Sequence, residues 1–359
     1  MNYNFWNDYN DKIKKEILDL CEEKNKIRVD LHMHSNHSSD GKQTIEEIIE
    51  NTKDKFDIIA ITDHDSVDVY NDLYNIIKNG HKKPIIIPGI EFTTDNREYG
   101  NQAHIVQLFI NPCDEVLKDE VKKNYEASFN RSKKQLERLK YNKGLEELLE
   151  RYNITLTYDE YIDFLNKNNL FPEYDTLISY IIDKTSKYFD NFEVLELQEK
   201  YNLLDECSER RLLKEIRFNK IRNKYKIEDK HSNRMLLSIL GVREVDDDWF
   251  SFEPSGSISV NSYGQLKIEE INKKYLTIFA HPTESKLDVV EKIINNTKMH
   301  GIEINVRNKY EDIDRLTNII NKYGLLITKG SDNHELNSNL YYNLSFYDMN
   351  NVEVEKLCH

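Results

Sequence analysis

Cysteine, proline, glycine and tryptophan are scarce in this chain of 359 residues, with four, six, eleven and two copies. Cys21, Cys113, Cys207 and Cys358 show no CxxC spacing, which argues against a zinc knuckle or a disulfide framework and points to four reduced cytosolic thiols. No stretch approaches the ~20 consecutive apolar residues of a membrane helix. Met1 to Glu23 is charged and has no apolar segment of the signal-peptide kind. A soluble, cytoplasmic protein is the expectation. Basic residues are outnumbered, 50 Lys and Arg against 64 Asp and Glu, for a formal net charge of -14. That balance argues against a general grip on nucleic-acid backbones, where phosphate contacts need cations, and leaves room only for a local basic patch. There is also no glycine-rich phosphate loop and no nucleophile elbow.

What is present is a repeating alternation of short apolar runs and amphipathic stretches. Residues 8–24 have a helical period, with Ile13, Ile17, Leu18 and Cys21 on one face. Strands are expected at Ile27–Leu31, Asp57–Ile61, Pro84–Ile90 and Ala103–Ile110, with helices near Thr44–Asn51 and Val67–Lys78. From about Asp114 to Tyr263 the chain is charged and helical in period, as at Asp119–Tyr141 and Leu203–Tyr225. Near Trp249–Gly264 it turns to Ser, Gly and Pro, a linker composition. Strands then resume at Tyr275–Ala280, Gly301–Val306 and Gly324–Lys329, separated by helices at Leu287–Asn295 and Ile313–Lys322. This pattern predicts an α/β architecture, a distorted seven-stranded parallel β/α barrel. The predicted division is an N-terminal helix at 1–24, a discontinuous barrel at 25–112 and 265–359, and a helical insertion at 113–264 that caps it.

Side chains of metal-binding type mark the ends of these runs. They are His32 and His34 in Asp30-Leu31-His32-Met33-His34-Ser35, His64 in Thr62-Asp63-His64-Asp65, and Glu91 in Gly89-Ile90-Glu91. The later ones are His281 in Ala280-His281-Pro282, and Asp332 and His334 in Gly330-Ser331-Asp332-Asn333-His334. His32 and His34 are two apart on a strand, so both imidazoles point the same way and can share one ion. His104 opens the fourth strand, and Asp40 precedes Gly41 in a turn-like segment. His37, His81, His231, His300 and His359 fall away from strand ends and read as surface residues. Polar residues at the C-terminal ends of barrel strands face one spot, so this set predicts a multinuclear metal site. Oxygen and nitrogen ligands without thiolate suit Mn, Zn, Fe or Mg. Two or three such ions suit phosphate-ester hydrolysis by metal-activated water.

These five motifs, in this order, resemble those of the PHP (polymerase and histidinol phosphatase) superfamily over about residues 25–112 and 265–345. The resemblance implies a distorted seven-stranded barrel with a trinuclear metal centre. Carried over motif by motif, it implies one ion held by His32, His34, Glu91 and Asp332. A second is held by Glu91, His104 and His281, and a third by Asp40, His64 and His334. Asp30, Asp63 and Asp65 would orient the imidazoles. The long insertion is similar to that of the branch acting on nucleotides, where a basic residue near its start contacts substrate phosphate. Arg131 is the counterpart here, and Arg307, just past the sixth strand, is a phosphate candidate from its position. Asp65, Arg131 and Arg307 are thus the candidate catalytic groups. The implied activity is hydrolysis of phosphate monoesters of small nucleotides, such as nucleoside monophosphates or 3',5'-bisphosphates. The alternatives are a 5'-to-3' exonuclease of short oligonucleotides, a metal-free scaffold in a larger assembly, or a histidinol phosphatase.

Overall fold

A computed structural model describes residues 2–38, 41–95, 103–139, 143–168, 170–172, 174–185, 264–282, 287–335 and 339–359. It divides into two compact units, Met1–Tyr125 with Gln265–His359, and Glu126–Gly264. The expected helix at 203–225 and linker at 249–263 lie outside the described residues.

The first unit is built on one sheet of eight strands. In chain order these are β1 (Lys26–Met33), β2 (Ile58–Ile61), β3 (Ile85–Thr94), β4 (Ala103–Leu108), β5 (Leu276–Ala280), β6 (Gly301–Asn305), β7 (Leu326–Gly330) and β8 (Asp348–Asn350). They lie in the order β7-β6-β5-β4-β3-β2-β1-β8. The sheet nearly closes: just past the strand ends, His34 N–H donates to Asn333 O at 3.0 Å and Asp332 N–H to His32 O at 3.0 Å. β8 is an eighth strand beyond the seven expected. It pairs antiparallel with the start of β1, Met349 opposite Ile27, and three residues are too few for an apolar pattern to show in the sequence.

The parallel expectation holds for β1–β2–β3 and β5–β6–β7, but β4 runs antiparallel to both of its neighbours. The reason is the connection. Parallel strands need a crossover long enough for a helix, whereas β3 and β4 are joined by only residues 95–102. The reversal matters for function. His104, the second residue of β4, lies opposite Thr93 and Ala280, at the rim where the parallel strands finish.

Helices cover the outside of the barrel. They are α1 (Tyr3–Glu23), α2 (Ile45–Thr52), α3 (Val69–Lys78) and the start of α4 (Glu115–Leu139), then α8 (Leu287–Asn296), α9 (Tyr310–Tyr323) and α10 (Asn351–Glu355). Their ends follow local chemistry. Thr44 and Glu47 form a reciprocal capping box at the start of α2. Gly324 ends α9 at φ 65°, a left-handed position that favours glycine. α1 belongs to the barrel unit. Trp6, Tyr9, Ile13 and Ile17 join the same core, Tyr9 OH donates to Ile86 O at 2.9 Å, and Asn10 Nδ2 donates to Phe109 O at 2.9 Å and Ile110 O at 3.0 Å. Ile86 is the second residue of β3 and Phe109 follows β4, so α1 closes the rim opposite His104.

In the second unit, the rest of α4 is followed by α5 (Lys143–Arg151), α6 (Tyr158–Asn168) and α7 (Tyr174–Thr185). Its described core includes Leu148, Tyr161, Leu165, Leu177, Tyr180 and Ile181. Tyr161 and Tyr180 meet at 5.5 Å between ring centroids, and Tyr180 OH donates to Thr157 O. Among the described residues no helix is long and apolar enough to cross a membrane, and Cys21, Cys113 and Cys358 are free thiols.

Candidate metal centre

Each donor reaches the rim by the alternation of its strand. On β1 the side chains of Leu31 and Met33 face one way, and those of Asp30 and His32 the other, followed in step by His34. All are buried. Glu91 lies inside β3, which runs on to Thr94 beside β4, and not at a strand tip as its apolar prefix suggested. His104 is the second residue of β4, and His64, His281, Asp332 and His334 sit on the segments after β2, β5 and β7. Two of them adopt left-handed backbone, His281 at φ 27° and Asp332 at 54°, as does the neighbouring Asp65 at 46°. Such conformations cost free energy in residues other than glycine and gather at sites where a side chain must be aimed.

Glu91 is the centre of the cluster and has no exposed side-chain surface. Its Oε2 lies 2.9 Å from His32 Nε2, 3.1 Å from His34 Nε2 and 3.3 Å from His64 Nδ1. Its Oε1 lies 2.9 Å from His104 Nδ1 and 3.0 Å from His281 Nε2. Asp332 Oδ1 faces the same point, 3.2 Å from His34 Nε2, 3.6 Å from His32 Nε2 and 3.7 Å from His334 Nε2. The His34 and His334 rings stack at 4.2 Å with 6° between planes. Eight side chains from positions 32 to 334 thus share one rim.

Burial alone would keep these imidazoles neutral. At His32 burial is outweighed by Glu91 and Glu303, which hold the pKa well above the ordinary histidine value. At His34 burial is opposed by Asp332 and Glu91, and the pKa is pushed up to about 10. Burial would raise Glu91, yet His32, His64 and His104 hold it well below the carboxylate range. The cluster is therefore a buried seat for positive charge, which divalent cations can supply in place of protons.

The donor set fits metal ions. Two imidazole nitrogens, His32 Nε2 and His34 Nε2, stand 3.1 Å apart with carboxylate oxygens of Glu91 and Asp332 around both. Among the described residues, donor atoms within 4.8 Å of one another form three groups: His34, His64 and His334; His32, Glu91, His281 and Asp332; and His64, Glu91 and His104. Glu91 and His64 each belong to two groups, as bridging or shared positions do. His281 converges with His32 and Asp332 as well as with Glu91, a wider association than the family motifs imply. Asp40, the remaining expected ligand, lies outside the described residues.

The supporting carboxylates differ from expectation. Asp30 and Asp63 hold backbone, not imidazoles. Asp30 Oδ1 accepts from Ser331 N at 2.9 Å, tying β1 to the segment after β7. Asp63 accepts from Ser35 N at 2.5 Å and Ser35 Oγ at 2.6 Å, fixing the turn after His34. Asp65 Oδ1 accepts from Thr93 N at 3.2 Å and from Asn124 Nδ2 at 2.7 Å, anchoring the start of α4 to the rim. The group on an imidazole is Glu303, which sequence reasoning missed. Its Oε2 accepts from His32 Nδ1 at 2.6 Å, leaving Nε2 to face the cluster, while Asn305 Nδ2 donates to Oε1 at 2.9 Å. In the sequence Glu303 shows only as one carboxylate within the apolar run Gly301-Ile302-Glu303-Ile304. Gly330 keeps this contact possible, since a Cβ there would stand 2.5 Å from His32 Cβ and 3.0 Å from Glu303 Cδ.

The two arginines part company. Arg307, 53% exposed at the rim, donates from Nη1 to Asp332 Oδ2 at 2.7 Å and from Nη2 to Asp332 O at 3.1 Å. Arg131 belongs to the helical unit, where it is 4% exposed and its Nη2 donates to Pro172 O at 3.5 Å.

A β/α barrel with a rim of histidines and carboxylates defines a class of metallohydrolase-like folds, and comparison with known proteins narrows it. Residues 30–200, just under half of the chain, match the model of the PHP domain. That match ends before His281, Asp332 and His334, which the fold brings to the earlier donors. Among solved structures, the chain is similar to a candidate metal-dependent phosphoesterase from Bifidobacterium adolescentis. The two share 15% identity over 87% of this chain and 89% of the other, with a TM-score of 0.53. It is also similar to an amidohydrolase from Chromobacterium violaceum, with sulfate and no metal bound, at 16% identity over 90% and 98% of the two chains and a TM-score of 0.51. At these identities the likeness is one of fold. No curated protein matches the sequence.

Proposed function

We propose that this chain is a metal-dependent phosphoesterase that hydrolyses phosphate monoesters of small nucleotides, such as nucleoside monophosphates or 3',5'-bisphosphates. The observation that carries the reading is the convergence of six imidazoles and two carboxylates around Glu91 on one barrel rim. His32, Glu91, His281 and Asp332 would hold one ion, His64, Glu91 and His104 a second, and His34, His64 and His334 a third. Asp40 is kept as a further ligand of the third. Bound divalent ions supply Lewis acidity toward phosphoryl oxygens and lower the pKa of water. The protein's own part is positional. Glu303 fixes the His32 ring, Asp63 fixes the turn carrying His34, and Asp65 fixes the rim beside α4. Arg307 holds Asp332 while its exposed guanidinium offers further N–H groups to a phosphoryl oxygen. Sulfate in the similar Chromobacterium violaceum structure supports tetrahedral-anion binding in such a fold. The chain's excess of acidic residues favours a small substrate over a long polyanion.

The test is a phosphate-release screen with Mn over nucleoside mono- and bisphosphates, p-nitrophenyl phosphate and a 5'-phosphorylated oligonucleotide. Release from nucleotides that stops with chelator and returns with Mn is the expected result. Stepwise shortening of the oligonucleotide, with little release from mononucleotides, would make the chain an exonuclease instead. No turnover and no bound metal would leave the scaffold reading. Arg131, buried and donating to Pro172 O, is placed to support the helical unit. Arg131→Ala should lower the melting temperature and reduce turnover of nucleotides and p-nitrophenyl phosphate alike. A rise in KM confined to nucleotides would make it the contact to a second phosphate.

A further inference from the structure

The rim opposite the metal donors holds a cavity of about 450 Å³. Its position follows from the strand directions. Leu108 ends the antiparallel β4 and Phe109 follows it, while Leu276 and Leu326 begin β5 and β7, so all four lie at the same end of the barrel. β5 runs from Leu276 in this cavity to Ala280, with His281 next in the metal cluster. Five residues at ~3.3 Å each separate the two sites by about 16 Å. The cavity is therefore not an annex of the metal centre. Its size falls in the range of small-ligand sites, roughly 300–1,000 Å³.

The lining has two characters. Leu108, Phe109, Leu276, Leu326 and Leu357 give an apolar floor. Lys14, Lys274 and Lys356 supply ammonium groups, with His300 and His359 beside them, and among the described residues no Asp or Glu side chain takes part in the lining. In a chain with net charge -14 this is a local reversal of sign. Lys274 is matched by Asp114, which also accepts from Tyr275 OH at 2.8 Å. Lys14 and Lys356 have no carboxylate partner among the described residues. Lys14 Nζ instead stands 5.1 Å from the Phe109 ring centroid. Phe109 holds that ring from left-handed backbone at φ 59°, with Asn10 Nδ2 donating to its carbonyl. His300 Nδ1 accepts from Thr277 N at 2.9 Å, so its Nε2–H is the donor it can offer a ligand.

We propose that this cavity binds a small amphipathic organic anion, an apolar body seated on the leucines and Phe109 with a carboxylate or phosphate head group between Lys14 and Lys356. Charge complementarity selects the head group, and a described lining of lysines without Asp or Glu side chains rejects cations. The apolar floor selects against inorganic anions, which gain nothing from it.

The experiment uses the full-length, Mn-loaded protein and the fluorescent probe 8-anilinonaphthalene-1-sulfonate, an apolar body with one fixed negative charge. One probe should bind per chain. Octanoate or octylphosphonate, whose P–C bond resists hydrolysis, should displace it at concentrations at least about tenfold lower than inorganic phosphate or octanol need. Whichever of the two acts at the lower concentration identifies the head group. Lys14→Glu combined with Lys356→Glu should weaken probe binding at least about tenfold. Phosphatase activity and melting temperature should stay unchanged, showing an intact fold. Displacement by inorganic phosphate or by octanol as readily as by the octyl anions would overturn the proposal. So would wild-type affinity in the double variant.

Discussion

The two rims of one barrel carry opposite chemistry. At the rim where β1, β2, β5 and β7 finish, buried carboxylates face imidazoles and make a seat for cations. At the rim where they start, lysines surround an apolar floor and make a seat for an anion. The antiparallel β4 belongs to both, with His104 at its beginning and Phe109 just past its end. The difference shows what each rim asks of the chain. The metal rim demands donors fixed to within fractions of an ångström, so it draws on strands, left-handed backbone and buried carboxylate anchors. The opposite rim needs only charge of the right sign on flexible stems, and surface lysines on α1 and after α10 meet that need.

The sharpest way to break the metal rim is to neutralise its centre. Glu91→Gln keeps the shape but removes the charge that faces five imidazoles. Turnover with Mn should fall by more than about a hundredfold, beyond the usual loss from an outer hydrogen-bond partner. Metal content by elemental analysis should fall with it. Retained metal with retained turnover would remove Glu91 from the centre. Glu303→Gln comes next. It leaves a hydrogen bond to His32 but no charge, and Mn affinity should drop by roughly 10–100-fold while saturating Mn restores most of the turnover. Unchanged Mn titration would make Glu303 a packing residue.

That ranking could not have been drawn from sequence for Glu303, and the reason is instructive. The strand–helix alternation, the metal-type residues at strand ends and the long insertion were all legible, because each leaves a local pattern. His32, His34, His64, His281, Asp332 and His334 are marked by the apolar runs that precede them. Strand direction leaves no such mark. The sequence of β4 reads the same parallel or antiparallel, and only the short 95–102 connection betrays the reversal that brings His104 to the rim. Glu303 was hidden because a single charge inside an apolar run is indistinguishable from an edge residue until its partner, 271 positions away, is known. Asp30 and Asp63 were legible as buried acids. Whether a buried acid binds a ring or a backbone amide depends on tertiary packing, and here it is the backbone of Ser331 and of Ser35.

Arg307 offers a milder perturbation of the metal rim. It holds Asp332 through two hydrogen bonds, yet it is half exposed, and water can replace much of what it supplies. Arg307→Ala should raise KM for phosphate monoesters about tenfold, with a smaller change in kcat. A fall in kcat and in Mn affinity without a change in KM would assign it to positioning Asp332 alone.

The smallest expected effect sharpens the comparison most. If the rims are independent, charge reversal at one should not be felt at the other. The cavity that Lys14 and Lys356 line reaches β5 at Leu276, on the order of 16 Å from His281 by strand length, about twice the screening length of roughly 8 Å at physiological salt. Between them lie the buried apolar side chains of the barrel core, Ile105, Val106, Ile278 and Phe279 among them. These transmit packing, but they carry no charge to relay. Lys14→Glu with Lys356→Glu should therefore leave the Mn titration curve at 0.15 M salt superimposable on wild type. Lowering the salt to about 0.01 M lengthens the screening distance to roughly 30 Å and should bring out a slight tightening of Mn binding, since two cations have become anions. A large change at physiological salt would mean that the two rims share a conformational equilibrium and not merely a barrel.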